Sequence, residues 1–170
     1  MSNTLLNRRQ ILVSSALGFS SVSLLRSALG QEAMADAIPA KLRSSLRQTV
    51  DFNVPPEKVY KALLTSSQFA KFSGMAAQID PHEGGAFTMF GGLIKGRNIE
   101  LVPNKRVVQA WRPGSWDQGV YSVVKFDLTE TPTGTKVTLD HTGFPEGDFD
   151  SLSEGWHMHY WDRLKIFFAG

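Results

Sequence analysis

Cysteine is absent from the 170 residues. Its absence excludes a disulfide framework, a cysteine-ligated zinc site and a thiol nucleophile. Histidine is scarce, with four residues, and their spacing does not suit a metal. His157 and His159 are two residues apart, so a helix would point them about 200° apart, where they could not share one ion. We therefore expect no metal site and no cofactor.

Recognisable catalytic motifs are lacking as well. Ser115 has no Gly-x-Ser-x-Gly elbow around it, and the sequence defines no Ser-His-Asp triad. The Gly91-Gly92 pair is followed by neither Lys-Ser nor Lys-Thr, so it fits a tight turn and not a phosphate-binding loop. We predict no catalytic residues.

The chain also lacks a marked excess of one charge. Eighteen Lys and Arg side chains stand against 16 Asp and Glu, for a formal net charge of +2. Residues 1–35 hold three of the arginines and one glutamate, which leaves 15 basic and 15 acidic residues in the rest. This balance gives no argument for binding to nucleic acid or to an anionic membrane.

No hydrophobic run is long enough to predict a stable transmembrane helix. The apolar stretch 11–25 contains five serines and falls short of the roughly 20 residues that a span needs. It follows Arg8-Arg9 and precedes small-residue patterns at 28–30 and 33–35, and so resembles a twin-arginine export signal. An amphipathic N-terminal helix of a cytoplasmic protein and an uncleaved anchor are the alternatives. We predict a signal at 1–35, a linker at 36–43 and a domain at 44–170, in a periplasmic or secreted protein.

Alternation of apolar and polar side chains predicts strands over much of the remainder. The first strand stops at Pro55-Pro56, which can also open a helix. Ser66 and Ser67 are candidate caps of a second short helix, and Gly96 predicts a bulge or bend in a strand. The predicted elements are a strand at 46–54, helices at 57–64 and 68–72, strands at 86–90, 93–102, 105–112 and 120–130, and a last strand around 136–140.

The C-terminal residues predict one long amphipathic helix. Ser151 and Glu154 have the spacing of a capping box. A broad aromatic face of this kind needs a broad apolar partner, which only a curved antiparallel sheet can supply in this chain. The sequence therefore predicts one α+β domain. The apolar stripe comprises Phe149, Leu152, Trp156, Tyr160, Leu164 and Phe167, widened by Trp161 and Phe168.

Several motifs together resemble one known family. They are TVDFNVPPEKVY at 49–60, FGGLIKGRN at 90–98, LVPNKRVVQAWR at 101–112, and Glu154-Gly155-Trp156 with Tyr160-Trp161. These motifs are similar to homologues of the C-terminal domain of the heat-shock protein 90 ATPase activator, in the START-like, helix-grip (SRPBCC) superfamily. The resemblance covers about residues 44–168. It implies a cavity between the sheet and the last helix, which in the superfamily holds apolar molecules.

The aromatic residues of these elements either fill the core or line such a cavity. Trp116 is a candidate for the rim, because its loop has no evident need for tryptophan. In a cavity, indole N–H or phenol O–H groups could orient a guest. His159 could be an edge residue of the helix or a hydrogen-bonding group in the cavity. The candidate ligand-binding residues are Phe90, Trp111, Trp116, Tyr121, Trp156, His159 and Tyr160.

Arg97, Asn98 and Glu100 form a polar cluster on one predicted strand. The usual interpretation is a solvated face, and the alternative is that Arg97 or Glu100 turns inward to bind a polar end of a ligand.

The expected function is non-catalytic binding of a small apolar or amphipathic molecule. The alternative, implied by the family, is a co-chaperone-like module that binds a protein partner. A third class, a cyclase-like or hydrolase-like enzyme, would need a convergent polar pair in the cavity. We expect no nucleic-acid partner and no membrane contact after signal removal.

Overall fold

A seven-stranded antiparallel sheet forms the body of the computed structural model, which describes residue 39 and residues 42–170. Its order is β1-β7-β6-β5-β4-β3-β2. The predicted signal at 1–35 and most of the predicted linker lie outside the described residues. The strands are β1 (Ser45–Phe52), β2 (Gln78–Ile79), β3 (Ala86–Met89), β4 (Ile94–Val102), β5 (Arg106–Pro113), β6 (Ser122–Thr131) and β7 (Gly134–Thr142).

Two short helices follow β1, as predicted: α1 (Pro56–Leu64) and α2 (Ser66–Ser73). Proline suits the start of α1 because its nitrogen has no hydrogen to leave unpaired, and Gly74 ends α2 in the left-handed conformation with φ 74°. The capping prediction for Ser66 and Ser67 is wrong, since Thr65 holds the N-cap position and both serines lie inside the helix. The Ser66 hydroxyl instead accepts the Ile79 N–H at 2.9 Å and joins α2 to β2.

The C-terminal helix spans 149–169 in three segments: α3 (Phe149–Trp156), a π-helical turn (His157–Trp161) and α4 (Asp162–Ala169). The π turn winds the chain more loosely than an α-helix, and the neighbours Tyr160 and Trp161 are both buried. The capping box is wrong, because Asp148 holds the N-cap position, three residues before Ser151. The Ser151 hydroxyl donates to the Asp148 carbonyl at 3.0 Å within the first turn.

Gly96 has a different role from the predicted bulge. The pairing of β4 with β5 is irregular between Asn98 and Glu100, whereas Gly96 pairs regularly with Trp111. A Cβ at Gly96 would lie 1.9 Å from the Ala110 carbonyl oxygen and 2.4 Å from the Phe87 ring. Glycine is therefore needed here for close approach of the Phe87 ring to the sheet.

The core fills the space between the sheet and the helices. Trp161, Phe69, Phe126, Leu139 and Leu164 are among its fully buried side chains. No helix in the described part of the chain has the length and apolar character to cross a membrane. The predicted α+β architecture, a curved antiparallel sheet against a long C-terminal helix, is confirmed.

Candidate functional site

A cavity of about 180 Å³ lies between the C-terminal helix and the start of β4. Met75 and Leu93, both exposed, stand at its edge. The aromatic rings of β5 and of the helix form much of its wall, so the surface offered to a guest is mainly apolar. The residues that line it are Met75, Phe90, Leu93, Ile94, Trp111, Ser151, Leu152, Gly155, Trp156, His159 and Tyr160.

Five of the seven predicted site residues line this cavity: Phe90, Trp111, Trp156, His159 and Tyr160. The structure brings together side chains that lie up to 70 positions apart in the sequence, and their role in binding stays a prediction. A larger, more open groove of about 440 Å³ runs along β2 and β3 and contains none of the predicted residues.

Trp116 and Tyr121 do not line the cavity. Trp116 is buried, and its indole N–H donates to an Asp148 carboxylate oxygen at 2.5 Å. It therefore ties its loop to the start of the C-terminal helix. Tyr121 is 52% exposed and precedes the first residue of β6.

Each of the four indole N–H groups donates to an acceptor inside the protein. This satisfies the usual requirement of a buried donor, and it leaves no indole N–H free to orient a guest. The sequence suggested that indole N–H groups could orient a guest. In this structure the tryptophans of the wall can contact a guest only through their rings. The pairs are Trp111 with Gln109 Oε1 at 2.9 Å, Trp116 with Asp148, Trp156 with His141 Nδ1 at 3.1 Å, and Trp161 with Gln48 Oε1 at 2.5 Å.

A buried chain of amides stands behind Trp111. The Gln109 amide donates to Asn98 Oδ1 at 2.9 Å, and the Asn98 amide donates to the Asp80 carbonyl at 2.8 Å. Asn98 is thus the inward-facing member of its polar cluster, with 1% exposure, whereas Arg97 is exposed and Glu100 half-buried. The suggestion that Arg97 or Glu100 turns inward is wrong. Strand alternation from Ile94 would have identified Asn98.

His141 is a second buried polar residue that sequence reasoning did not select. Its Nε2 lies 2.7 Å from the Ser122 hydroxyl, while its Nδ1 accepts the Trp156 N–H. Because indole nitrogen can only donate, Nδ1 is unprotonated and the ring proton is on Nε2. Burial lowers the pKa of His141 to about 4, which keeps this tautomer neutral.

This tautomer determines what the Ser122–His141 pair can do. A serine nucleophile needs a histidine nitrogen with a free lone pair to take its proton. Here Nε2 carries a proton and donates a hydrogen bond to the Ser122 hydroxyl. The pair is therefore a structural contact behind Trp156 and not an activated nucleophile.

The hydroxyl of Tyr160 has a weak hydrogen-bond partner. It contacts the Met89 sulfur at 3.7 Å, and thioether sulfur is a weak acceptor. Complete burial raises the pKa of Tyr160 well above its ordinary value. The phenol therefore stays protonated and remains a donor at neutral pH.

His159 lies at the mouth of the cavity. Its ring centroid is 6.1 Å from that of Phe90 at a steep angle, and its side chain is exposed. His159 is thus an edge residue of the helix that also contributes to the wall, and its role as a hydrogen-bonding group stays a prediction. Among the described wall residues, no two polar side chains are hydrogen-bonded to each other, and no described cluster of His, Asp and Glu suits a metal ion.

The fold is that of a START-like, helix-grip protein, in which a curved sheet packs around the C-terminal helix and two short helices follow the first strand. The family model described as "Activator of Hsp90 ATPase homolog 1-like protein" matches residues 53–169. The chain belongs to this family.

Similar proteins carry the same description. An "Activator of 90 kDa heat shock protein ATPase homolog" of Dictyostelium discoideum is 31% identical over 127 residues, which is 74% of this chain and 33% of that protein. Homolog 1 of Homo sapiens is 27% identical over 125 residues, with 74% and 36% covered. The chain thus spans about a third of the length of these relatives.

A crystal structure of an HSP90 activator from Plasmodium falciparum has the same fold. It aligns with a TM-score of 0.71 at 25% identity and covers 75% of this chain and 97% of that one.

Proposed function

We propose that the cavity binds a small apolar or amphipathic molecule without chemical change. The observation that carries this proposal is an aromatic wall whose two indole N–H groups, of Trp111 and Trp156, both donate to acceptors within the protein. Such a wall offers a guest contact area and exclusion of water, which are the main sources of affinity in apolar sites.

The volume of the cavity indicates the size of the guest. Apolar cavities of about 150 Å³ bind benzene, and sites for drug-sized ligands start near 300 Å³. The cavity here, at about 180 Å³, fits a one- or two-ring aromatic group or the end of an alkyl chain. The polar end of an amphipathic guest would lie at the mouth of the cavity, near His159.

Gly155 offers a direct test of this proposal. It lies in the helical wall, and the nearest atom to an added Cβ is the His159 ring at 4.0 Å. We expect Gly155→Leu to fill the cavity and to lower affinity for indole and 2-naphthol by about tenfold or more. The measurement is an NMR titration that follows the amide signals of residues 151–160.

Gly155→Ala is the matched control for the leucine variant. It adds one methyl group, should keep affinity within about twofold, and should stabilise the helix by about 1 kcal/mol. Absence of shifts with both probes at saturation, or equal affinity in Gly155→Leu and the parent, would contradict cavity binding.

A second candidate function is binding to a chaperone of the heat-shock protein 90 class. The match over residues 53–169 and the names of the relatives favour it. We expect the full chain to raise the rate of ATP hydrolysis by such a chaperone. An unchanged rate at an excess of the chain would remove this candidate.

We also propose that the segment 1–35 directs export. The test is to determine the N-terminal residue of the natural protein. A start near residue 31 or 36 would support export, and an intact Met1 would oppose it.

A further inference from the structure

The outer face of the sheet, opposite the C-terminal helix, divides into two halves of different charge. In one half, cations and carboxylates alternate across five strands. Each cation of this series contacts a carboxylate, with nitrogen–oxygen distances of 2.5 to 3.7 Å. The series is Arg47, Asp140, Lys125, Asp127, Arg106 and Glu100, from β1 to β4.

The charged strand residues of the other half are all cations. Lys95 on β4 and Arg112 on β5 are direct partners in the sheet, and Arg97 lies two positions along β4 on the same face. None of the three has an ion pair with a described carboxylate. Like charges directly opposite each other destabilise a pair of strands, so this arrangement costs stability that the neighbouring half does not lose.

The guanidinium groups retain donors for a further partner. Arg97 Nη1 donates to the Gly84 carbonyl at 2.8 Å, and Arg112 Nη1 donates to the Trp116 carbonyl at 3.1 Å. These single bonds hold each side chain in place, while the other N–H groups of each fork have no described partner. A carboxylate, like a phosphate, matches such a fork with two parallel hydrogen bonds.

Small and apolar side chains surround these cations. Ala86, Arg97, Ala110 and Val123 follow one another across four strands. Val123 is 41% exposed, and Tyr121, two positions earlier in the chain, is 52% exposed. Arginine beside exposed aromatic and apolar side chains is typical of a protein interface.

We propose that Lys95, Arg97 and Arg112, with Tyr121 and Val123, form a docking surface for an acidic segment of a protein partner. Charge complementarity decides the occupant. Proteins that bind a nucleic acid or an anionic membrane usually carry a large excess of basic side chains. Residues 36–170 carry 15 basic and 15 acidic side chains, so they have no such excess. Three cations beside exposed apolar side chains suit two or three carboxylates on a peptide.

The docking surface is independent of the cavity. Ile94 and Trp111 line the cavity, whereas their neighbours Lys95 and Arg112 point to the other side of the sheet, because successive side chains of a strand alternate. Loss of binding at one face therefore leaves the other face unchanged, and the two proposals fail separately.

The test is an NMR titration of the full chain with a short peptide in which glutamate alternates with threonine. At low ionic strength we expect shifts on the outer face of β3 to β6, and weakening of binding as salt is added. Lys95→Glu should lower the affinity by about tenfold. It should also keep or raise the melting temperature, because the new carboxylate lies opposite Arg112.

Lys105→Glu is the matched control, with the same change of net charge. Lys105 is exposed at the β4–β5 turn, at the opposite end of the hairpin from Lys95, and should change affinity by less than about twofold. No shift with the acidic peptide, or an equal loss in both variants, would overturn the proposal. Tighter binding of single-stranded DNA or of phosphatidylserine vesicles than of the peptide would overturn the assignment to a protein partner.

Discussion

His141 makes the stability of the domain depend on pH. Its folded pKa of about 4 lies below the ordinary value of 6.5. Between these two values the unfolded chain binds a proton that the folded chain excludes, so the free energy of unfolding falls as the pH is lowered. The full effect is about 3 kcal/mol for this residue. Protonation would also place a second donor against the Trp156 N–H.

We predict that His141→Gln removes this part of the acid sensitivity. Urea unfolding between pH 7 and pH 4 should show a drop in stability about 3 kcal/mol smaller than in the parent. The carboxylates titrate in both proteins and cancel in the comparison. His157→Gln, on the exposed side of the helix, should retain the steep parental dependence, and equal slopes in parent and His141→Gln would refute the assignment.

At the scale of the element, the β3–β4 hairpin depends on the absence of one side chain. Gly96 leaves the space into which the Phe87 ring packs, and the Ala110 carbonyl oxygen would lie 1.9 Å from an added Cβ. Because that oxygen belongs to the backbone of a paired strand, it cannot move away alone. The strands must separate or the ring must leave the core.

We therefore predict that Gly96→Ala destabilises the domain by about 3 kcal/mol or more. The comparison is Gly114→Ala, where the nearest atom to an added Cβ is the Leu93 carbonyl oxygen at 3.6 Å, and a change below about 1 kcal/mol is expected. Chemical denaturation of the two variants and the parent measures both. Equal stability of Gly96→Ala and the parent would show that the hairpin adjusts freely.

For the whole molecule, local patterns predict the elements better than the contacts between them. Alternation in β1 and the aromatic stripe of the last helix are visible because one buried face repeats along a short segment. The two-residue strand β2 has too few residues to show a period. The π turn could not be predicted from the spacing of apolar residues, because that spacing was interpreted with the period of a regular α-helix.

The polar contacts behind the cavity could not be read in this way. Trp161 and Gln48 are 113 positions apart, and their hydrogen bond follows from the packing of the helix on β1. The Trp156–His141 bond likewise needs the position of the helix against β7. Sequence reasoning therefore selected five of the residues that line the cavity, but it did not show which of their polar groups were already occupied.

The π turn at His157–Trp161 lengthens the last helix without changing which side chains the rest of the helix buries. Each residue of an α-helix turns the chain by about 100°, so one extra residue in regular winding would rotate every later side chain away from the sheet. A π turn takes in about one more residue than an α-helical turn and so absorbs that rotation. Leu164 after the turn and Trp156 before it are therefore both buried. The turn acts as an insertion whose effect on the packing ends where α4 begins.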